Sequence, residues 1–231
     1  MQLSIVFPCY NEEENIAVAV RETLRWLDAS GISGEVIVVN DGSADGSQGV
    51  IESLCAGDAR VRCIRHEKNR GYGLAVRSGC DAARMENIAF VDSDRQFKIE
   101  DLSLLLRHLD RYEAVVGRRR KRADPLMRNV FGKVLGCLIF LVFGIWIRDV
   151  NCGMKVFRAS LWPKIRPEYG TEKLFNTELF LRMKRRGVAW KQVDVPHYPR
   201  VAGNPTGGSI RVIINMFREI LHLKKAMMRQ G

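Results

Sequence analysis

The sequence has no C-x-x-C pair, no clustering of its 4 histidines, and no uncharged run of the roughly 20 residues that span a bilayer. The first two absences exclude the common zinc arrangements. The third leaves a membrane-surface segment, but not a simple spanning helix, open to the chain. The 6 cysteines, Cys9, Cys55, Cys63, Cys80, Cys137 and Cys152, are scattered through apolar contexts, as expected of buried free thiols. A strand-like apolar run begins at Leu3 with no basic region before it, so no signal peptide is expected. With the thiols, this points to a reducing, cytoplasmic setting. Internal repeats and low-complexity linkers are also missing, and a single domain over residues 1–231 is expected.

What the chain has in excess is positive charge. Lys and Arg number 37 against 26 Asp and Glu, a formal net charge of +11. That balance points to an anionic partner: a nucleotide, an anionic membrane surface or nucleic acid. A single-strand-binding surface interleaves cations with aromatics. Here the aromatics lie within apolar helices and strands, so no nucleic-acid partner is expected.

The first half alternates short apolar runs with helical periodicity. "LSIVFP", "EVIVVND", "VRCIRHE" and "NIAFVD" read as strands. "EEENIAVAVRETLRWLDAS", "DGSQGVIESLCA" and "GYGLAVRSGCDAARM" read as helices between them. Such alternation predicts an α/β fold with a parallel sheet flanked by helices. In the second half "DLSLLLRHLDRY" and "TELFLRMKRRG" read as helices, and "EAVVG", "KVFRA" and "VAWKQVDVP" as strands. Val134 to Ile147 is an uncharged stretch that fits a buried core helix or one lying in a membrane interface. The tail from residue 208 to 229 repeats apolar residues at helical spacing, with cations between them.

In parallel sheets ligands bind at the carboxyl ends of the strands. Those ends carry Pro8, Tyr10, Asn11 and Glu12, then Asp41, Gly42 and Ser43, then "NRGYG", then Asp92, Asp94 and Gln96. Aromatic and carboxylate groups there suit a base and ribose hydroxyls, although Asn11, Asp41 and Ser43 also suit helix caps and turns. Arg70 and the neighbouring glycines open a helix whose backbone N–H groups can meet an anion. Two acids one residue apart after an apolar strand are costly unless they hold a cation. Mg²⁺ or Mn²⁺ prefers such oxygen donors, with Gln96 as a third, and bridges them to substrate phosphates.

As a set, "SIVFPCYNEEENI", "VVNDGSADGS", "NRGYGLAVRSG" and "FVDSDRQF" resemble the inverting family 2 glycosyltransferases of the GT-A fold. "VVGRRR", "RDVNCGMKVFR", "NTELFLRMKRRG" and "VPHYPRVAG" resemble the polyprenyl-phosphate branch, such as dolichol-phosphate mannose synthase. The resemblance implies a mostly parallel GT-A sheet and a nucleotide-sugar donor, GDP-mannose or a UDP-sugar, with mannose favoured. It implies a polyprenyl phosphate acceptor and a peripheral position on the cytoplasmic membrane face. It places Pro8, Tyr10, Glu12 and Asp41 around base and ribose, with Arg70 and Asp92 on the nucleotide. Asp92, Asp94 and Gln96 would surround the metal and diphosphate. Arg119, Arg128 and Arg200 would meet phosphates, and Glu178 would approach the sugar. Segments of about 126–147 and 208–229 would rest on the membrane. A transferase using a saccharide hydroxyl is the alternative, with Glu178 as its base. Arg95 departs from the family pattern Asp-Ala-Asp-Leu-Gln and puts an extra cation inside the metal loop.

Overall fold

The computed structural model describes residues 1–120, 126–170, 174–201 and 219–227, and only the backbone of 126–133. In chain order the elements are β1 (Gln2–Cys9), α1 (Glu13–Ala29), β2 (Ser33–Asn40), α2 (Ser47–Gly57), β3 (Val61–Arg65), α3 (Tyr72–Asp81) and β4 (Asn87–Val91). Then come α4 (Ser103–Leu106), β5 (Ala114–Arg119), α5 (Leu126–Phe143), β6 (Met154–Arg158), α6 (Trp162–Ile165), α7 (Phe175–Arg185) and β7 (Trp190–Val195). Residues 219–227 form a last helix, α8.

The strands form one seven-stranded sheet in the order β3-β2-β1-β4-β6-β5-β7. β1 pairs in parallel with β2 and β4, and β2 with β3, as strand–helix alternation requires. β6 is the exception. It enters between β4 and β5 antiparallel to both, so the sheet is mixed although mostly parallel. The β1 and β2 runs are apolar without alternation because both faces are covered. Val6, Ile37, Val39 and Phe90 pack with Ala75, Leu135 and Phe175 on one face. Ile5, Phe7, Val38 and Val91 pack with Ile16, Val20, Ile51 and Leu105 on the other. Each such burial is worth about 1.5–3 kcal/mol, which pins the strands and leaves the loops at their ends to carry polar groups.

Two helical expectations shorten. "DLSLLLRHLDRY" forms a 3-10 turn over Ile99–Leu102 and a single α turn over Ser103–Leu106. The apolar helix ends at Phe143 rather than Ile147, where Gly144 takes a left-handed φ of 63° that a bulkier residue would resist. α5 meets the core along one side only. Leu135 and Ile139 are buried in the core, whereas Val134, Phe140 and Leu141, with Trp146 just beyond, are exposed. α8 likewise buries Ile220, Leu223 and Met227 and exposes Leu221. Most of the 208–229 tail lies outside the described residues. Among the described residues, no helix is long and apolar enough to cross a membrane.

Candidate active site

The loops after β1 and β2 are built on one another. Asn11 takes a positive φ of 55°, tolerated by a short polar side chain, and its Oδ1 accepts from Ala44 N at 2.8 Å. α1 is capped from across this junction. Ser47 Oγ accepts from Glu12 N at 3.0 Å, and Asp45 Oδ2 from Glu13 N at 3.2 Å. Capping is therefore done by Asp45 and Ser47 rather than by Asn11. Pro8 is buried and Tyr10 remains exposed at the rim.

Asp41 is almost fully buried, and its carboxylate holds the next loop. Oδ1 accepts from His66 Nδ1 at 2.6 Å and Arg70 N at 3.0 Å, and Oδ2 from Gly71 N at 2.9 Å. A carboxylate only accepts, so Nδ1 of His66 carries the proton, and Nε2 meets Ser78 Oγ at 3.0 Å. The anion expected at the start of α3 is thus Asp41 itself. The Arg70 side chain is exposed.

The Asp92–Gln96 loop follows β4. Asp92 N donates to Gly153 O at 3.1 Å, and Asp92 Oδ1 accepts from Tyr72 Oη at 2.9 Å. A Cβ on Gly153 would stand 1.8 Å from Asp92 Oδ2, so only glycine lets the carboxylate sit there. Ser93 Oγ donates to Pro8 O at 2.8 Å, tying this loop to β1. Asp94 Oδ1 accepts from Gln96 N at 3.2 Å. Gln96 Nε2 donates to Tyr198 O at 3.2 Å, which leaves its amide oxygen as the atom to offer a cation. Burial, and next the Asp94 charge, push the Asp92 carboxyl up to about 6. A divalent cation would relieve both effects. Two carboxylates and an amide oxygen are hard donors and would suit Mg²⁺ or Mn²⁺, an ion that also takes phosphate oxygens of a substrate. Among the described residues no group of three or more His, Cys, Asp or Glu could hold a metal unaided.

Arg95 does not enter this shell. Its φ is 58°, and its guanidinium turns back to Glu22 of α1 at 3.7 Å, with Nε buried and unpaired. Three other cations surround the acids. Arg200 bridges Glu12 Oε1 and Asp94 Oδ2, the latter at 3.2 Å. Glu12 is also held by Asn15 Nδ2 at 2.7 Å, and burial raises its carboxyl despite Arg200. Arg119 grips Asp149 in a bidentate pair at 2.8 and 2.7 Å. Lys155 is 0% exposed and lies under the rings of Phe90 and Phe180 at 5.1 and 5.8 Å, donating to Cys152 O. Burial lowers its ammonium to about 8, while Asp149 and Asp92 act to raise it.

Glu178 is placed differently from the expectation that it faces a sugar. It is 0% exposed, and its oxygens accept from the backbone N–H groups of Glu168, Tyr169 and Gly170 at 2.6–2.8 Å and from Arg182 Nε at 2.7 Å. That occupancy makes it the anchor of the 168–170 loop. Arg128 lies in α5, but its side chain falls outside the described residues. Tyr72 lay within the "NRGYG" stretch at a strand end but with no role given to it, and His66, Asp149, Gly153 and Lys155 escaped the sequence reading. Lys155 had one signal: a lone cation inside "MKVF", an otherwise apolar strand.

Residues 4–180 match the family model described as glycosyl transferase family 2. The dolichyl-phosphate beta-glucosyltransferase of Drosophila melanogaster is 31% identical over 222 residues, covering 84% of this chain and 68% of that protein. The undecaprenyl-phosphate 4-deoxy-4-formamido-L-arabinose transferase of Shewanella sediminis is 27% identical over 231 residues, covering 98% of this chain and 68% of its own length. The structure superposes on glucosyl-3-phosphoglycerate synthase from Mycobacterium tuberculosis, solved with Mn²⁺, UDP and glucosyl-3-phosphoglycerate, with a TM-score of 0.69. That likeness, at 20% identity over 95% of this chain and 77% of the other, shows the fold, which is GT-A.

Proposed function

The chain belongs to glycosyl transferase family 2, and from that premise we propose that it moves a hexosyl group from a uridine diphosphate sugar to a polyprenyl phosphate, with inversion and with Mg²⁺ or Mn²⁺. The observation that carries the acceptor class is the saturation of Glu178. A hydroxyl acceptor needs a base, and the acid the sequence offers for that task has both oxygens engaged by backbone amides and Arg182. A phosphate is already ionised near neutral pH and needs none. Its oxygen attacks the anomeric carbon as the bond to the diphosphate breaks, and the electron pair leaves with the nucleoside diphosphate. The chain's task is charge management. Asp92, Asp94 and Gln96 would hold the divalent ion, and Arg128 and Arg200 the phosphates, with Arg119 adding its charge from its fixed pair with Asp149. When bound, the ion neutralises the leaving diphosphate.

Uracil is favoured over guanine by a count of lone pairs at Asp41. A carboxylate offers about four acceptor sites, and His66, Arg70 and Gly71 take three of them, leaving one on Oδ2. Uracil presents one N–H flanked by carbonyls. Guanine presents adjacent donors that call for both oxygens. Relatives named as glucosyl transferases favour glucose over the mannose first expected. A lipid acceptor is supported by the exposed Phe140, Leu141, Trp146 and Leu221. Purified protein with UDP-glucose, Mn²⁺ and a short polyprenyl phosphate is expected to yield lipid-linked glucose. Equal product from GDP-mannose would overturn the donor assignment, and transfer to saccharide hydroxyls alone would overturn the acceptor.

A further inference from the structure

Each carboxylate at the end of β4 has a cation close by, and these cations differ in their freedom to leave. Lys155 is fully buried between two phenyl rings and cannot be exchanged. Arg119 is locked to Asp149 through two side-chain hydrogen bonds and a third from its backbone N–H to Asp149 Oδ2 at 3.0 Å. Arg200 is one-fifth exposed and sits on the irregular segment after β7. That segment is stapled to the metal loop by Tyr198 N donating to Gln96 O at 3.0 Å and by Gln96 Nε2 donating to Tyr198 O at 3.2 Å.

We propose that Arg200 and the divalent ion are alternative counter-ions of Asp94, so that metal binding displaces Arg200 from Asp94 and frees it for the phosphate of the second substrate. The inference rests on the metal reading above. Asp94 Oδ1 accepts from Gln96 N and Oδ2 from Arg200, so a metal ion taken up on Oδ2 would meet Arg200 at one atom. A guanidinium and a divalent ion on one oxygen repel each other strongly at this depth. The staple keeps Arg200 beside the site after it lets go, and Glu12 still offers it a partner.

The test is Mn²⁺ titrated without nucleotide and followed by the electron paramagnetic resonance signal of the free ion. Arg200→Gln removes the competitor and is expected to tighten Mn²⁺ binding about tenfold while lowering transfer. Arg200→Lys keeps the charge and should bind Mn²⁺ within about twofold of wild type. Melting curves confirm that each variant folds. Equal or weaker Mn²⁺ binding by a folded Arg200→Gln, with wild type binding normally, overturns the exchange and leaves the metal reading standing. If wild type binds no Mn²⁺ even with UDP, the metal reading falls, and this proposal with it.

Discussion

Glu178, named only through the family resemblance, and the Asp92–Asp94 pair, argued from its place after a strand, are acids that the fold treats in opposite ways. Glu178 is enclosed by three backbone amides and an arginine, all supplied by its own chain. Asp92 and Asp94 sit beside one another, Asp94 with Arg200 on its Oδ2, and the Asp92 carboxyl is driven up to about 6. A carboxylate satisfied by the protein organises the protein. One left in like-charge company is arranged for something that arrives. Asp41 lies between these extremes, with one acceptor site remaining.

The sharpest way to break this contrast is to neutralise one acid on each side. Asp94→Asn should lower transfer by roughly 10²–10³-fold, in the range of a lost electrostatic contact. It should cost little melting temperature, because the lost contact with Arg200 is offset by relief of repulsion from Asp92. Glu178→Gln should do the reverse. Losing the charge turns an amide NH₂ toward backbone N–H groups and takes the Glu178 partner from Arg182, which keeps its pair with Glu168 at 3.1 Å, at a cost of about 3 kcal/mol, read by denaturant unfolding. Donor affinity of the folded protein should change little. Similar stability losses in both variants would erase the distinction.

Acidity offers a subtler handle. The folded Asp92 carboxyl titrates near 6, against about 4 for an unfolded aspartate. Between those values the folded chain binds more protons than the unfolded one, so this group's contribution to stability grows as pH falls from 6 toward 4. Mn²⁺-dependent donor binding needs the ionised form and should fade over the same interval. Calorimetry of donor binding and melting curves across that range should therefore move in opposite directions; parallel loss would remove Asp92 from the ligand side. The smallest expected effect is at Arg95→Leu. Its guanidinium points to Glu22 and away from the metal loop, so donor affinity should stay within about twofold. A tenfold change would return Arg95 to the site.

Strand and helix positions in the first half were legible because β1 to β4 alternate with amphipathic helices and the apolar runs are continuous. The position of β6 was not, since nothing in "MKVF" says it will run antiparallel between β4 and β5. The acids after each strand were visible as residue types, but not their occupancy. Whether an acid meets three amides or another acid depends on contacts between residues far apart in sequence, such as Asp41 with Gly71 or Asp92 with Gly153. Lys155 stayed hidden for a related reason. A cation can be buried only where aromatic faces and a carbonyl receive it, and those come from β4, α7 and the turn before β6.

The most direct measurement is isothermal titration of UDP and of GDP, each with Mn²⁺, into wild-type protein and Asp94→Asn. UDP is expected to bind wild type at least tenfold more tightly than GDP, in line with the single acceptor site left on Asp41, and to lose that affinity in Asp94→Asn. Tight GDP binding, or UDP binding indifferent to both Mn²⁺ and Asp94, would contradict the assignment of the β4 end to a uridine diphosphate donor.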